Sequence, residues 1–279
     1  MKAMNLSIGK LLLPALLLAL FQTQAGATIT IVSIDRVTSV STDARGTGEV
    51  SGPSPSLDSA ALGLFNPSFT SNASVAEASA STSASQISNI TLGPTDLNPT
   101  TLNITASLNE SASLSSMLGP VFGGIASVFS ESYLTIRFTT DEPFRLTLDV
   151  TTAGDTVFQG SSTKVTLNDN NAGQILAAFG ADQNGSFSAG GPFSFTTWGA
   201  AGDYTLTALV QDSAEDINGT ANFSNGPDGR SASFQLAVIP TPEPSSSVLM
   251  LCSGAMLLLR YRRAAVSSPV SASLFLRGA

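Results

Sequence analysis

Strict alternation of apolar and polar residues, recurring along the chain, is the feature that most limits the fold. Leu102, Ile104, Ala106 and Leu108 alternate with Asn103, Thr105 and Ser107. The same period runs through residues 134–138, 144–150, 204–210 and 234–238, and a β-branched run opens at Ile29 and Ile31. Period two puts successive side chains on opposite faces of a strand, so each segment has one apolar face to bury. Many such strands with few long helical stretches predict an all-β fold, an antiparallel β-sandwich of Ig-like or jelly-roll-like type. Weaker strand candidates are 86–92, 156–159, 164–167 and 192–198. Two segments could be helical. The first, 113–129, is interrupted by Gly119-Pro120 and weakened by Gly123-Gly124. The second, 172–179, has Asn171 as its candidate N-cap. Residues 71–85 are Ser/Ala-rich with Glu77 as their single charge, and read as a loop or a bland two-sided strand.

Gly202-Asp203-Tyr204-Thr205-Leu206-Thr207 resembles the Gly-x-Tyr pattern that opens a late strand in Ig-like sandwiches. The resemblance implies a Tyr204 hydroxyl tied to the preceding corner, a packing role. It also implies a hairpin-like return over 231–239 after a long loop, 213–230, rich in turn signals.

Charge is sparse and unevenly placed. Charged residues make up 11% of the chain, and the formal net charge is −8. Every acid except Glu243 lies between Thr28 and Pro240, whereas Lys2, Lys10, Arg260, Arg262, Arg263 and Arg277 lie outside that stretch. The acidic balance speaks against nucleic acid as a partner. The chain has no His and one Cys, Cys252. That excludes Ser-His-Asp and Cys-His catalysis, His-ligated metals and an intramolecular disulfide.

The bases outside the acidic stretch flank two short apolar runs. Lys2 and Lys10 precede the run 11–21, and Ala25-Gly26-Ala27 follows it as an A-x-A site. Residues 1–27 therefore read as a signal peptide with a short helix, cleaved after Ala27 by signal peptidase following Sec export. As a helix the run is about 16 Å long, short of the roughly 30 Å of hydrocarbon. At the other end Pro242-Glu243-Pro244 precedes a 12-residue apolar run, 248–259, and then Arg260, Arg262 and Arg263. The run reads as a short transmembrane helix held by cytoplasmic arginines.

These three parts in order resemble a PEP-CTERM sorting signal of Gram-negative bacteria. The resemblance covers 241–263. It implies transient inner-membrane insertion, processing by an exosortase, and a cell-surface or extracellular destination in bacteria that make exopolysaccharide. Residues 264–279 continue past the usual end of such a signal and read as a cytoplasmic extension. The expected domains are thus 1–27, a mature β-domain over 28–240, 241–263 and 264–279.

No catalytic residue is expected in the mature domain. The adjacent acids Asp141-Glu142 and Glu215-Asp216 would point to opposite sides of a strand, and read as solvated loop acids. No metal ligand set and no cofactor are expected, with calcium as the alternative. Its candidates are 168–171 and the Asp212, Glu215, Asp216 and Asn218 loop, neither of which fits EF-hand spacing. Phe193, Phe195 and Trp198 read as core residues. Asn-x-Ser/Thr sequons begin at Asn72, Asn89, Asn103, Asn109, Asn184, Asn218 and Asn222. The expected function is a non-enzymatic surface or matrix protein associated with exopolysaccharide or biofilm. The alternatives are a surface carbohydrate- or calcium-binding module, or a secreted hydrolase using carboxylates.

Overall fold

The computed structural model describes residues 28–94, 100–118, 123–153, 161–182, 185–188, 191–217, 219, 223–224, 229–241 and 254. The two expected terminal helices lie outside these residues, Gly254 apart. So do Ala25, Ala27, Pro242, Glu243, Pro244, Arg260, Arg262, Arg263 and Cys252. No helix among the described residues is long and apolar enough to cross a membrane.

The described residues from Thr28 to Thr241 form one compact unit made of two antiparallel sheets packed as a sandwich. Sheet A contains β1 (Ile29–Arg45), β2 (Glu49–Ser51), β3 (Ser56–Ser59), β8 (Ile125–Thr140), β10 (Ser162–Asp169), β11 (Gln174–Asp182), β12 (Gly185–Ser188) and β14 (Gly202–Ile217). Its order is β12-β11-β10-β14-β8-β1-β2, with β3 also on β1. Sheet B contains β4 (Gly63–Phe65), β5 (Ser68–Val75), β6 (Ala78–Pro94), β7 (Thr100–Ser116), β9 (Phe144–Ala153), β13 (Gly191–Gly199), β15 (Phe223–Ser224) and β16 (Arg230–Pro240). Its order is β13-β9-β16-β7-β6-β4, with β5 on β6 and β15 on β7.

The alternating segments became strands whose apolar set faces the opposite sheet, as period two requires. Leu102, Ile104, Leu108, Leu134, Ile136, Phe138, Leu146 and Leu148 are all fully buried. Tyr204 is buried among them, stacked near Phe138 and edge-on to Phe144. Its hydroxyl donates to Ala200 O at 3.0 Å, the corner tie that its sequence context implied.

Several local expectations fail. Residues 113–129 hold no helix among the described residues: β7 runs to Ser116 and β8 starts at Ile125. Residues 170–173 form a turn and β11 follows, so Asn171 caps no helix. Residues 71–85, read as a loop or a strand, take the strand form in the β5–β6 hairpin. β14 continues to Ile217, well into the expected loop. β16 is also no hairpin partner of β14. β14 lies between β10 and β8 in sheet A, and β16 between β9 and β7 in sheet B.

The interior divides into two apolar clusters. The larger is built mainly from Leu, Ile, Val and Phe. The smaller holds mainly alanines, Ala44, Ala73, Ala78, Ala80, Ala112 and Ala126, with Leu114 and Val128. Small side chains let the sheets close up there: Cα atoms of β1 approach those of β5 and β6 within 8 Å, and β8 does the same with β6 and β7. The β5–β6 turn is held at that end through Glu77, whose Oε2 accepts from Thr47 N and Oγ1, both at 3.1 Å. Gly124 abuts the Glu77 carbonyl so closely that a Cβ would overlap it. Any side chain there would push the turn out of place.

Candidate functional site

A buried polar belt separates the two clusters. On β7 the inward series Leu102, Ile104, Ala106 and Leu108 gives way to Glu110. The same inward rank holds Asp212 on β14, Arg230 on β16 and Ser130 and Ser132 on β8, all buried. Arg230 Nε and Asp212 Oδ1 are 2.7 Å apart, pairing the two sheets across the interior. Ser130 Oγ donates to Glu110 Oε2 at 3.0 Å. Burial, and next the Asp212 charge, push the Glu110 carboxyl well above its ordinary value.

Farther along the belt, Arg36 on β1 reaches across to the chain as it passes from β3 to β4. It donates to Gly63 O at 2.9 Å, to Ser59 Oγ at 3.1 Å and to Ala61 O, and lies over the Phe65 ring. Turned so that its NH2 faces Tyr133 O and Val37 O, Gln86 donates to both at 3.2 and 3.1 Å. These charges are almost fully enclosed, and each is paired or hydrogen-bonded within the interior.

The acids singled out in the sequence do not converge. Asp141 lies in the exposed β8–β9 turn, where Thr28 N and Thr28 Oγ1 each donate to it at 2.6 Å. The Thr28 side-chain hydrogen bond holds its carboxyl below the ordinary value. Glu215 and Asp216 point to opposite faces of β14, as alternation requires. Asp216 is no solvated loop acid, however: it is buried and accepts from Ser116 N at 2.7 Å. Asp212 is likewise inside β14 and not in a loop. Asp169 Oδ1 is taken up by its own turn, accepting from Asn171 N at 2.9 Å and Ala172 N at 3.0 Å. No three His, Cys, Asp or Glu side chains gather in a metal-binding group among the described residues.

The two outer faces differ in kind. Sheet A bears exposed or half-buried charges, including Asp35, Asp43, Arg45, Glu131, Arg137, Asp203 and Glu215. Arg137 Nε donates to both Asp203 oxygens, at 2.9 and 3.0 Å, and the hydrogen bond from Arg137 draws the Asp203 carboxyl down. Partial burial, with Asp35 nearby, pushes Glu131 up. On sheet B, β4, β5, β6, β7, β13 and β16 present no charge outward among the described residues, and β9 presents only Arg145 and Asp149.

Apart from the exposed Leu64, Ile87, Trp198 and Ile239, much of the rest of the sheet B face is hydroxyl and amide in rows across the strands. One row runs Ser194, Asp149, Gln235, Thr105, Asn89. The next runs Thr196, Thr147, Ala237, Asn103, Thr91. Rows of this kind lie about 7 Å apart along the strands, with about 4.8 Å between neighbours in a row. Serines on β6 and β7 bond to one another, Ser83 to Ser111 at 2.7 Å and Ser79 to Ser115 at 3.1 Å.

An open hollow of about 510 Å³ lies over this face; Thr105, Asp149, Thr151, Ser194 and Gln235 stand in it, but Ala106, Val150, Pro192, Phe193 and Phe234 make most of its lining apolar. Toward the end of the same edge strand, β13, stands Trp198. It is 68% exposed, so it is not the core residue that its sequence neighbourhood predicts. Alternation explains the difference: Phe193 and Phe195 take the inward phase, Phe195 against the large core and Phe193 stacked near Phe179, which leaves Trp198 outward.

No family model matches the chain, and no curated protein matches it. Among solved structures it is similar to the CBM22-1 xylan-binding domain from Paenibacillus barcinonensis Xyn10C. That match covers 66% of this chain and 100% of that domain, at 11% identity and a TM-score of 0.17. Such a TM-score is too low to speak for a shared fold or a shared ligand.

Proposed function

We propose that this chain is an exported cell-surface or extracellular-matrix protein whose β-sandwich is a non-catalytic scaffold for exopolysaccharide. Its C-terminal signal is processed by an exosortase after transient insertion in the inner membrane through a short helix. The observation that carries the polysaccharide association is the outer face of sheet B. Among the described residues it is a field rich in Ser, Thr, Asn and Gln, with Arg145 and Asp149 as its charges, the exposed Leu64, Ile87, Trp198 and Ile239, and an open hollow. Hydroxyl and amide groups offer both donors and acceptors to a hydroxyl-rich polymer without the desolvation cost of burying ions. The carboxylates of the interior, Glu110 and Asp212, are enclosed and paired or hydrogen-bonded. They favour a structural part over the hydrolase alternative.

The reading is tested on protein recovered from its native host together with the surface polymer fraction. The expected intact mass begins at Thr28 and ends within 242–246, and the protein travels with the polysaccharide. Protein still ending at Ala279 in the membrane fraction, with none in the polymer, overturns it.

A further inference from the structure

From the outer face of sheet B we infer a specific glycan site at its β13 edge: Trp198 is the stacking platform, and the hollow two rows away takes the adjoining sugars of a neutral polysaccharide. This rests on the polysaccharide reading above and names the ligand class and the residues. Trp198 stands directly opposite Arg145, which stands opposite Ile239. Four residues back on the same strand, and on the same face, Ser194 faces Asp149, which faces Gln235. Four residues of strand separate the indole from that row by about 13 Å, so a polymer following β13 reaches both.

Each part has a distinct task. The indole offers an exposed aromatic face to the C–H side of a sugar ring, the contact that gives aromatic residues their weight at interfaces. Arg145 donates to hydroxyls beside it, and Asp149 accepts from them. Gln235, Thr105, Ser194 and Thr151 supply uncharged partners in the hollow.

Charge decides the class of polymer. Arg145, beside Trp198, is the one base on this face among the described residues; the rows of the hollow contain none to neutralise a uronate or a sulfate, and Asp149 repels one there. The excess of acids over bases between Thr28 and Pro240 adds to that repulsion at long range. A neutral polymer meets neither obstacle.

Trp198 is the chain's one tryptophan, so indole fluorescence reports this site alone. The test uses residues 28–241 with hydroxyethyl cellulose and dextran as neutral polymers and alginate as the acidic one, by fluorescence titration and affinity electrophoresis. The expected result is a blue-shifted emission and retarded migration with a neutral polymer and neither with alginate. Trp198→Ala is expected to weaken retardation on the order of tenfold, with the thermal midpoint unchanged within about 2 °C. Trp198→Phe keeps a ring and is expected to recover part of the binding.

Wild-type retardation that Trp198→Ala leaves intact, or that alginate produces as well as the neutral polymers, overturns this site while the polysaccharide reading stands. Absence of retardation by any polymer overturns both.

Discussion

Both sheets bury charge, sheet A through Arg36, Asp212 and Asp216 and sheet B through Glu110 and Arg230, and they differ in their outer faces. Asp35, Glu131, Arg137, Asp203 and Glu215 of sheet A lie on its outer side. Glu110 and Arg230 of sheet B point inward and are buried, leaving Arg145 and Asp149 as the charges on its outer face among the described residues. Sheet A therefore has the surface of an ordinary solvated strand array. Sheet B has, beside its exposed apolar residues and the charges of Arg145 and Asp149, a surface whose polarity comes mainly from dipoles. The difference shows that a strand can be strongly hydrophilic without being charged, and that such a face suits a partner which is itself polar and uncharged.

The largest expected effect comes from striking the buried pair that both sheets share, Asp212 of sheet A and Arg230 of sheet B. Asp212→Ala leaves Arg230 buried without its 2.7 Å carboxylate, and the expected loss is about 3–5 kcal/mol by chemical denaturation. The exposed Arg137–Asp203 pair of sheet A is the control, and Arg137→Ala is expected to leave the denaturation midpoint nearly unchanged. Next comes the support behind the sheet B face. Leu148 is fully buried on β9, next to the outward Asp149 of the hollow, and Leu148→Ala is expected to cost about 2–5 kcal/mol.

Acid titration sharpens the comparison from the other side. The folded-state carboxyl of Glu110 lies well above its ordinary 4.5. Its neutral form is therefore favoured by the fold, and its contribution is fully present below the ordinary value and is lost as pH rises through the folded value. Glu110→Gln is expected to be more stable than wild type at neutral pH, with the advantage disappearing in acid. Asp141 has the opposite sign: its carboxyl lies below the ordinary 3.8, so its contribution is present above that value and is lost as pH falls. Asp141→Asn is expected to show its deficit only above that range. The smallest effect on stability is at the exposed platform, where Trp198→Ala is expected to shift unfolding by no more than about 0.5 kcal/mol.

Much of the sandwich was legible in the alternation of β7, β8, β9, β14 and β16, because a period of two leaves little choice of structure. The Tyr204 corner was legible too, since its pattern ties one hydroxyl to one local carbonyl. The placement of β14 and β16 in different sheets was not, because alternation says which face is buried and nothing about which strand lies alongside. The Ala/Ser stretch of β5 and β6 was ambiguous because small side chains weaken the contrast between its two faces.

The candidate site was half visible. Phe193, Phe195 and Trp198 form a cluster in the sequence, but the first two and the last fall on opposite phases of one strand, so proximity alone misplaces the indole. Carrying the phase through β7 and β14 also places Glu110, Asp212 and Asp216 inside. That signal is present in the sequence and is masked when acids are weighed only as adjacent pairs.

The most direct test of the claim that sheet B is the working face places one negative charge on each side of the sandwich. Thr105→Glu puts it in the sheet B hollow, and Thr166→Glu puts it on the half-buried outer side of β10 in sheet A. Affinity electrophoresis in hydroxyethyl cellulose compares the two with wild type. The account predicts that Thr105→Glu loses retardation and Thr166→Glu keeps it. Equal retardation of both variants, or loss in Thr166→Glu alone, would contradict it.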